Sequence, residues 1–206
     1  MKHRVTKFKS PQVALKELEP FIRNGEHLQT GKPFEHFGGL RSREVLANWL
    51  ICAAVNSGRP TASLIFTSDP TGGDGIIYDT EAEADFPTEH VLVPRAKPDE
   101  QRDIPTLIST AISQKQEKGG AAYASGKTLI VFLEAGLGRW VPNQVPRQIP
   151  KTDFEDVWVV GLQGVENGEY VYAVTRLTSN EGGNAPVWLV RISKDFGTWQ
   201  AQRTQW

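Results

Sequence analysis

The sequence predicts an α/β fold, a central mixed sheet flanked by helices, and two observations carry that expectation. Apolar residues recur at helical spacing in three stretches. Between and after them stand short continuous apolar runs of the kind found in strands buried on both faces. At 206 residues and 39% hydrophobic, the chain is long enough to bury one substantial core, so a single domain over 1–206 is expected. It divides into a helical N-terminal extension (1–37), a core (38–135) and a strand-rich C-terminal extension (136–206).

The first helix is expected over 11–25, with Ser10 as N-cap and Pro11 in its first turn. Val13, Leu15, Leu18, Phe21 and Ile22 form its apolar face, and Gly25 suits its end. A turn-rich link, TGKPFEHFGG, follows. The stretch SREVLANWLICAAVN then reads as a second helix, capped by Ser42, with an apolar stripe of Val45, Leu46, Trp49, Leu50 and Ala53. After Pro60 the pattern changes to strands: ASLIFTS, GIIY and EHVLVP, with the acidic TEAEADF as a solvated hairpin tip. A third helix begins near Asp103, carries Pro105 in its first turn and stops at the glycine pair 119–120. KTLIVFLE is a fourth strand, and DVWVVGL, EYVYAVTRL and APVWLVRIS are three more, separated by ENG and NEGGN turns. Trp140, Trp158, Trp188, Trp199 and Trp206 read as core or sheet-face residues.

A net charge of -1 and pI near 6.4 give no global sign of a nucleic-acid partner. The basic run MKHRVTKFK reads as a solvated terminus. One cysteine, Cys52, permits no internal disulfide, and no segment has the apolar length of a signal peptide or a membrane span. A cytoplasmic location with no membrane partner is the expectation.

The chemistry concentrates in the stretch TSDPTGGDGIIYDTEAEADFPTEHVLVPR. Gly72 and Gly73 allow a sharp bend, and Asp74 follows where the second strand begins. Glu89 opens the third strand. If those strands pair, both carboxylates meet at one end of the sheet, where magnesium or manganese would suit them. Asp69 reads as a turn residue, Asp79 closes the GIIY strand and Asp85 belongs to the acidic tip. His90 alternates to the face opposite Glu89. His3, His27 and His36 lack metal-ligand spacing. The sequence has no P-loop, dinucleotide fingerprint, GxSxG elbow or EF-hand ligand ladder.

The order helix, three strands, helix, strand over 38–135, with GGDGIIYD on the second strand and an acidic residue opening the third, resembles the PD-(D/E)XK nuclease superfamily. The resemblance implies a restriction endonuclease-like core and a phosphodiesterase dependent on Mg2+ or Mn2+. Asp74 and Glu89 would bind metal, and a lysine would help activate water. It further implies a nucleic-acid partner, with DNA favoured, and the homodimer common among enzymes that cut both strands. The family's lysine stands two residues after the acidic residue, where this chain has Val91. Lys115 offers a replacement, because it continues the inward stripe of Ile104, Ile108 and Ala111 on the following helix. Superfamily members often carry a metal-linked Glu on the helix before the first strand, and Glu44 matches that place. A Glu in the first helical turn also favours the helix dipole without any metal. Two other readings stand beside the enzyme: a nuclease-like fold kept as an inactive binding or structural module, and an interaction protein using its Trp-rich half.

Overall fold

The computed structural model describes residues 9–95, 103–137, 140–142, 145, 152–177 and 185–204. His3, Trp206, the NEGGN turn and all but Lys9 of the basic N-terminal run lie outside them.

Helix α1 (Pro11–Arg23) begins where expected, although the Ser10 hydroxyl makes no capping bond. Its buried face is Ala14, Leu15, Leu18 and Ile22, whereas Val13, assigned to that face from sequence, is 49% exposed. A short helix α2 (Glu26–Thr30), not expected from sequence, precedes the link, and the link itself holds a 3-10 turn (Glu35–Phe37); each is followed by a left-handed glycine, Gly31 and Gly38. Helix α3 (Ser42–Asn56) starts at its expected cap residue, so the N-cap falls one residue earlier. Arg41 holds the N-cap position, and the Ser42 hydroxyl instead donates to the His27 carbonyl.

Strands β1 (Leu64–Thr67) and β2 (Ile76–Asp79) form an antiparallel pair. Strand β3 (Ala84–Val93) is longer than expected, so Glu89 lies inside it and Asp85 pairs with Tyr78 in place of sitting at a hairpin tip. Pro87 is tolerated there for a geometric reason. The Thr88 N–H points toward β2, donating to the Gly75 carbonyl, so the preceding residue's nitrogen points to the other side. On that side β4 (Thr128–Leu133) pairs only from Thr88 onward.

Helix α4 (Ile104–Ala124) runs past the expected glycine stop. Gly120, at φ 71° and ψ 177°, kinks it, and a further turn follows. Strands β5 (Asp156–Glu166), β6 (Glu169–Arg176), β7 (Val187–Ile192) and β8 (Trp199–Thr204) complete one eight-stranded sheet, in which spatial order follows chain order. Strands β3, β4 and β5 run parallel, while the neighbours on either side are antiparallel. Strand β8, polar at alternate positions, has no apolar run to mark it in sequence.

The sheet curls around α3. That helix touches β1 and β2 toward one edge and β6, β7 and β8 toward the other. Every residue from Ser42 to Ala54 is therefore buried, and the expected stripe widens to include Ala47, Ile51 and Cys52. The opposite face carries α4, whose Ile104, Ile108, Ala111 and Ile112 pack on Leu129, Val131, Val157 and Val159. Trp49 meets Trp199 edge to face, and Trp158 lies against Trp188, while Trp140 packs beside the α4 cluster. These tryptophans serve packing, as the sequence suggested. No helix among the described residues is long and apolar enough to cross a membrane.

Gly75 combines a positive φ with close neighbours beside the cleft described below. Its φ is 135°, and a Cβ there would lie 2.4 Å from Asn48 Nδ2 and 3.2 Å from Thr88 Oγ1. Gly72, at φ 93°, has open space around it. Gly75→Ala is expected to destabilise the chain by about 1–3 kcal/mol and Gly72→Ala by less, because only the first adds a clash to backbone strain. Urea unfolding of the two variants measures the difference.

Candidate functional site

The site forms where β3 outruns β2. A strand residue presents its N–H and C=O to the same neighbour, and the His90 groups point to the side where β2 has already ended at Ile76. Both groups find side-chain partners instead. The His90 N–H donates to Asp74 Oδ2 at 2.7 Å, and Lys115 Nζ donates to the His90 carbonyl at 3.1 Å. Gly75 turns the chain out of the sheet and so aims Asp74 at this gap. The Asp74 carbonyl in turn accepts from Asn48 Nδ2 of α3 at 3.3 Å.

Lys115 bridges the two carboxylates. Its ammonium lies 3.2 Å from Glu89 Oε2 and 3.9 Å from Asp74 Oδ2. Three of the residues singled out in the sequence thus converge, with the lysine arriving from α4. Val91, at the position where the resemblance would place a lysine, packs against the α4 apolar cluster. A charged side chain there would compete with that packing.

Asp74, Glu44, His90 and Lys115 line a cleft of about 720 Å³, whose wall also includes Arg41, Arg43, Lys118 and the turns carrying Gly38, Gly39, Gly72 and Gly73. Glu44 is buried at the third position of α3, and its Oε2 accepts the Arg41 N–H at 2.8 Å. That bond is a helix cap. His90 lies on the α3 side of the sheet with its Nδ1 3.8 Å from Asp74 Oδ2, too long for a hydrogen bond. Among the described residues, neither ring nitrogen of His90 has a hydrogen-bond partner, nor do Asn48 Oδ1 and Thr88 Oγ1. Buried groups of this kind call for water or a ligand.

Burial would raise the Asp74 carboxyl, but the ring and amide of His90 and the Lys115 ammonium outweigh it, holding the group below the ordinary range. Glu44 shifts the other way. Burial first, and then the Asp74 charge, push its carboxyl up against the weaker help of Arg41 and His90.

The competing aspartates have local roles. Asp69 Oδ1 accepts from the Thr71 N–H and hydroxyl, the turn role expected of it. Asp79 is buried, pairs with Arg59 at 2.6 Å and caps the Glu81 and Ala82 amides. Sequence reasoning missed Tyr123 and Lys127, which both reach Glu89. Their signal was present only as a tyrosine shortly after a glycine pair and a lysine opening the KTLIVFLE strand. Comparison with family models, with curated proteins and with solved structures finds no match for this chain.

Two pH effects of opposite sign follow. The folded chain holds the Glu44 proton more tightly than the unfolded chain does, so ionised Glu44 costs stability as pH rises above its ordinary value of about 4.5. Glu44→Gln keeps an oxygen for the Arg41 N–H and is expected to raise the metal-free Tm at pH 7, with the gain vanishing near pH 4. Asp74, with its lowered carboxyl, contributes stability that is present at neutral pH and lost as pH falls through its folded pKa, below about 3.8. Asp74→Asn is expected to lower Tm at pH 7 and to flatten the acid limb. Calorimetry from pH 2.5 to 8 reads both.

Proposed function

We propose that the chain is a divalent-metal-dependent nuclease of the PD-(D/E)XK type, with its lysine moved from the third strand to the following helix. The observation that carries this reading is the single ammonium of Lys115 shared by Asp74 and Glu89 at the His90 backbone, which β2 does not reach. A restriction endonuclease-like core is part of the proposal. Its support is the order of α3, β1, β2, β3, α4 and β4, with β3 and β4 parallel.

The donor set fits a hard cation. Two carboxylates and one carbonyl surround a point already filled by positive charge. Among the described residues, no three Asp, Glu, His or Cys side chains group closely enough to hold a metal by themselves. Asp74 and Glu89 would therefore supply the protein ligands, Glu44 would add negative charge to the same cleft, and water and phosphate would complete the shell. That is the usual pattern for Mg2+, and Mn2+ takes the same oxygen donors.

A bound ion would polarise the scissile phosphate and lower the pKa of water. Lys115, released from the carboxylates, would hydrogen-bond the attacking water or a phosphate oxygen. Arg41 and Lys118 at the cleft wall give the phosphate backbone, with DNA as the favoured substrate, a positive approach. A second reading, an inactive module, draws support from the same ammonium. Lys115 and Lys127 already neutralise Glu89, so the cluster is electrostatically satisfied without metal.

Incubation of supercoiled plasmid, single-stranded DNA and RNA with Mg2+ or Mn2+ tests the reading against an EDTA control. Cleavage is expected with metal, and Asp74→Ala and Lys115→Ala are each expected to lower its rate by about a hundredfold or more. Failure to cut any substrate, together with no metal-induced rise in Tm, would favour the inactive module.

A further inference from the structure

Glu89 has more partners than a metal ligand needs, and one of them, Tyr123, traces to the glycine pair at 119–120. Glu89 Oε1 accepts from Lys127 Nζ at 2.7 Å, and Oε2 accepts from the Tyr123 hydroxyl as well as facing Lys115. The Lys127 ammonium also sits 4.0 Å from the centroid of the Tyr123 ring. Neither Tyr123 nor Lys127 lines the cleft. Glu89 itself is not part of the cleft lining; the Tyr123 hydroxyl meets the same Oε2 that the cleft residue Lys115 faces, and Lys127 meets the other oxygen.

The helix is broken in order to place Tyr123. Gly120 leaves the helical conformation, which redirects the last turn of α4 back toward the start of β4. At Gly119 a Cβ would lie 2.1 Å from the Tyr123 ring, so only glycine clears the space the ring occupies. Phe154 supports the ring edge to face at 6.4 Å. Substituents on this carboxylate are thus fixed by packing, not left to rotamer choice.

We propose that Tyr123 and Lys127, seated by Gly119 and Gly120, are positioning residues that hold Glu89 in place when Lys115 leaves it. This rests on the metal-dependent reading above. If Lys115 were the only cation on Glu89, a phosphate that drew Lys115 away would leave a buried carboxylate unbalanced. Lys127 offsets that cost, and the Tyr123 hydroxyl holds Oε2, the oxygen that Lys115 faces. Partners behind a metal ligand commonly set its affinity by tenfold or more.

The test is Mn2+ binding to the full chain by electron paramagnetic resonance, alongside the Mn2+ concentration that gives half-maximal cleavage. Native protein is expected to bind Mn2+, and Asp74→Asn to abolish it. Tyr123→Phe, Gly119→Ala and Lys127→Met are each expected to weaken binding about tenfold, with Lys127→Arg restoring it. The half-maximal Mn2+ concentration should rise by the same factor, and the rate at saturating metal should recover in Tyr123→Phe. Charge alone predicts the opposite for Lys127→Met, since losing a nearby cation tightens cation binding. If the native chain binds Mn2+ but Tyr123→Phe and Lys127→Met bind it as tightly or more tightly, the positioning role is overturned and the nuclease reading stands. If the native chain binds no Mn2+, or Asp74→Asn leaves binding intact, the reading and this inference fall together. Tyr123→Phe removes one oxygen only, so it decides the matter even if Lys127→Met does not fold.

Discussion

The site depends on one mismatch of length: β3 continues after β2 has stopped. In a sheet, backbone groups left without a neighbouring strand must find other partners or face water. Here the His90 N–H recruits Asp74 and the His90 carbonyl recruits Lys115. The carboxylate and the ammonium are therefore brought together by the hydrogen-bonding needs of one residue's main chain. Glu89, the preceding residue, necessarily faces the α4 side, where Lys115 comes from.

That gap is held open by the way the sheet is filled. Helix α3 occupies the concave side and is buried all round, so its polar residues Glu44 and Asn48 are buried with the rest. Asn48 then serves as a fixed donor to the Asp74 carbonyl, and Gly75 is required because that amide sits where a Cβ would be. Glu44 has a less comfortable place. It caps its helix, yet its ionised form suffers both burial and the charge of Asp74. A carboxylate kept under that penalty is the kind of local conflict expected where function outweighs stability.

The charges in the site also divide by their place at the cleft. Lys115 and Arg41 belong to the cleft wall, while Lys127 and Tyr123 reach Glu89 from outside that wall. A single buried carboxylate thus has one partner at the cleft wall and two outside it. The glycines that interrupt α4 take part in this, because the kink and the missing Cβ together lay the Tyr123 ring against its final turn.

Much of the architecture was written locally. Apolar runs such as LIVFL and the helical spacing of Ile104, Ile108 and Ala111 determined the element order, and the same spacing placed Lys115 on the inward face. Asp74, Glu89 and Glu44 were legible as candidates because turn glycines and strand or helix ends frame them. Local patterns failed where a contact distant in sequence decided the outcome. Strand β8 is polar at alternate positions and exists by pairing with β7; β3 extends through Pro87 because no strand lies beside that nitrogen. The all-round burial of α3 follows from sheet curl. Tyr123 and Lys127 joined Glu89 through a helix kink and a parallel strand pairing, which no spacing rule encodes. The sequence by itself determined which residues carry charge and the longer apolar helices and strands. Only the tertiary structure decided which charges meet, because that depends on where one strand ends beside another.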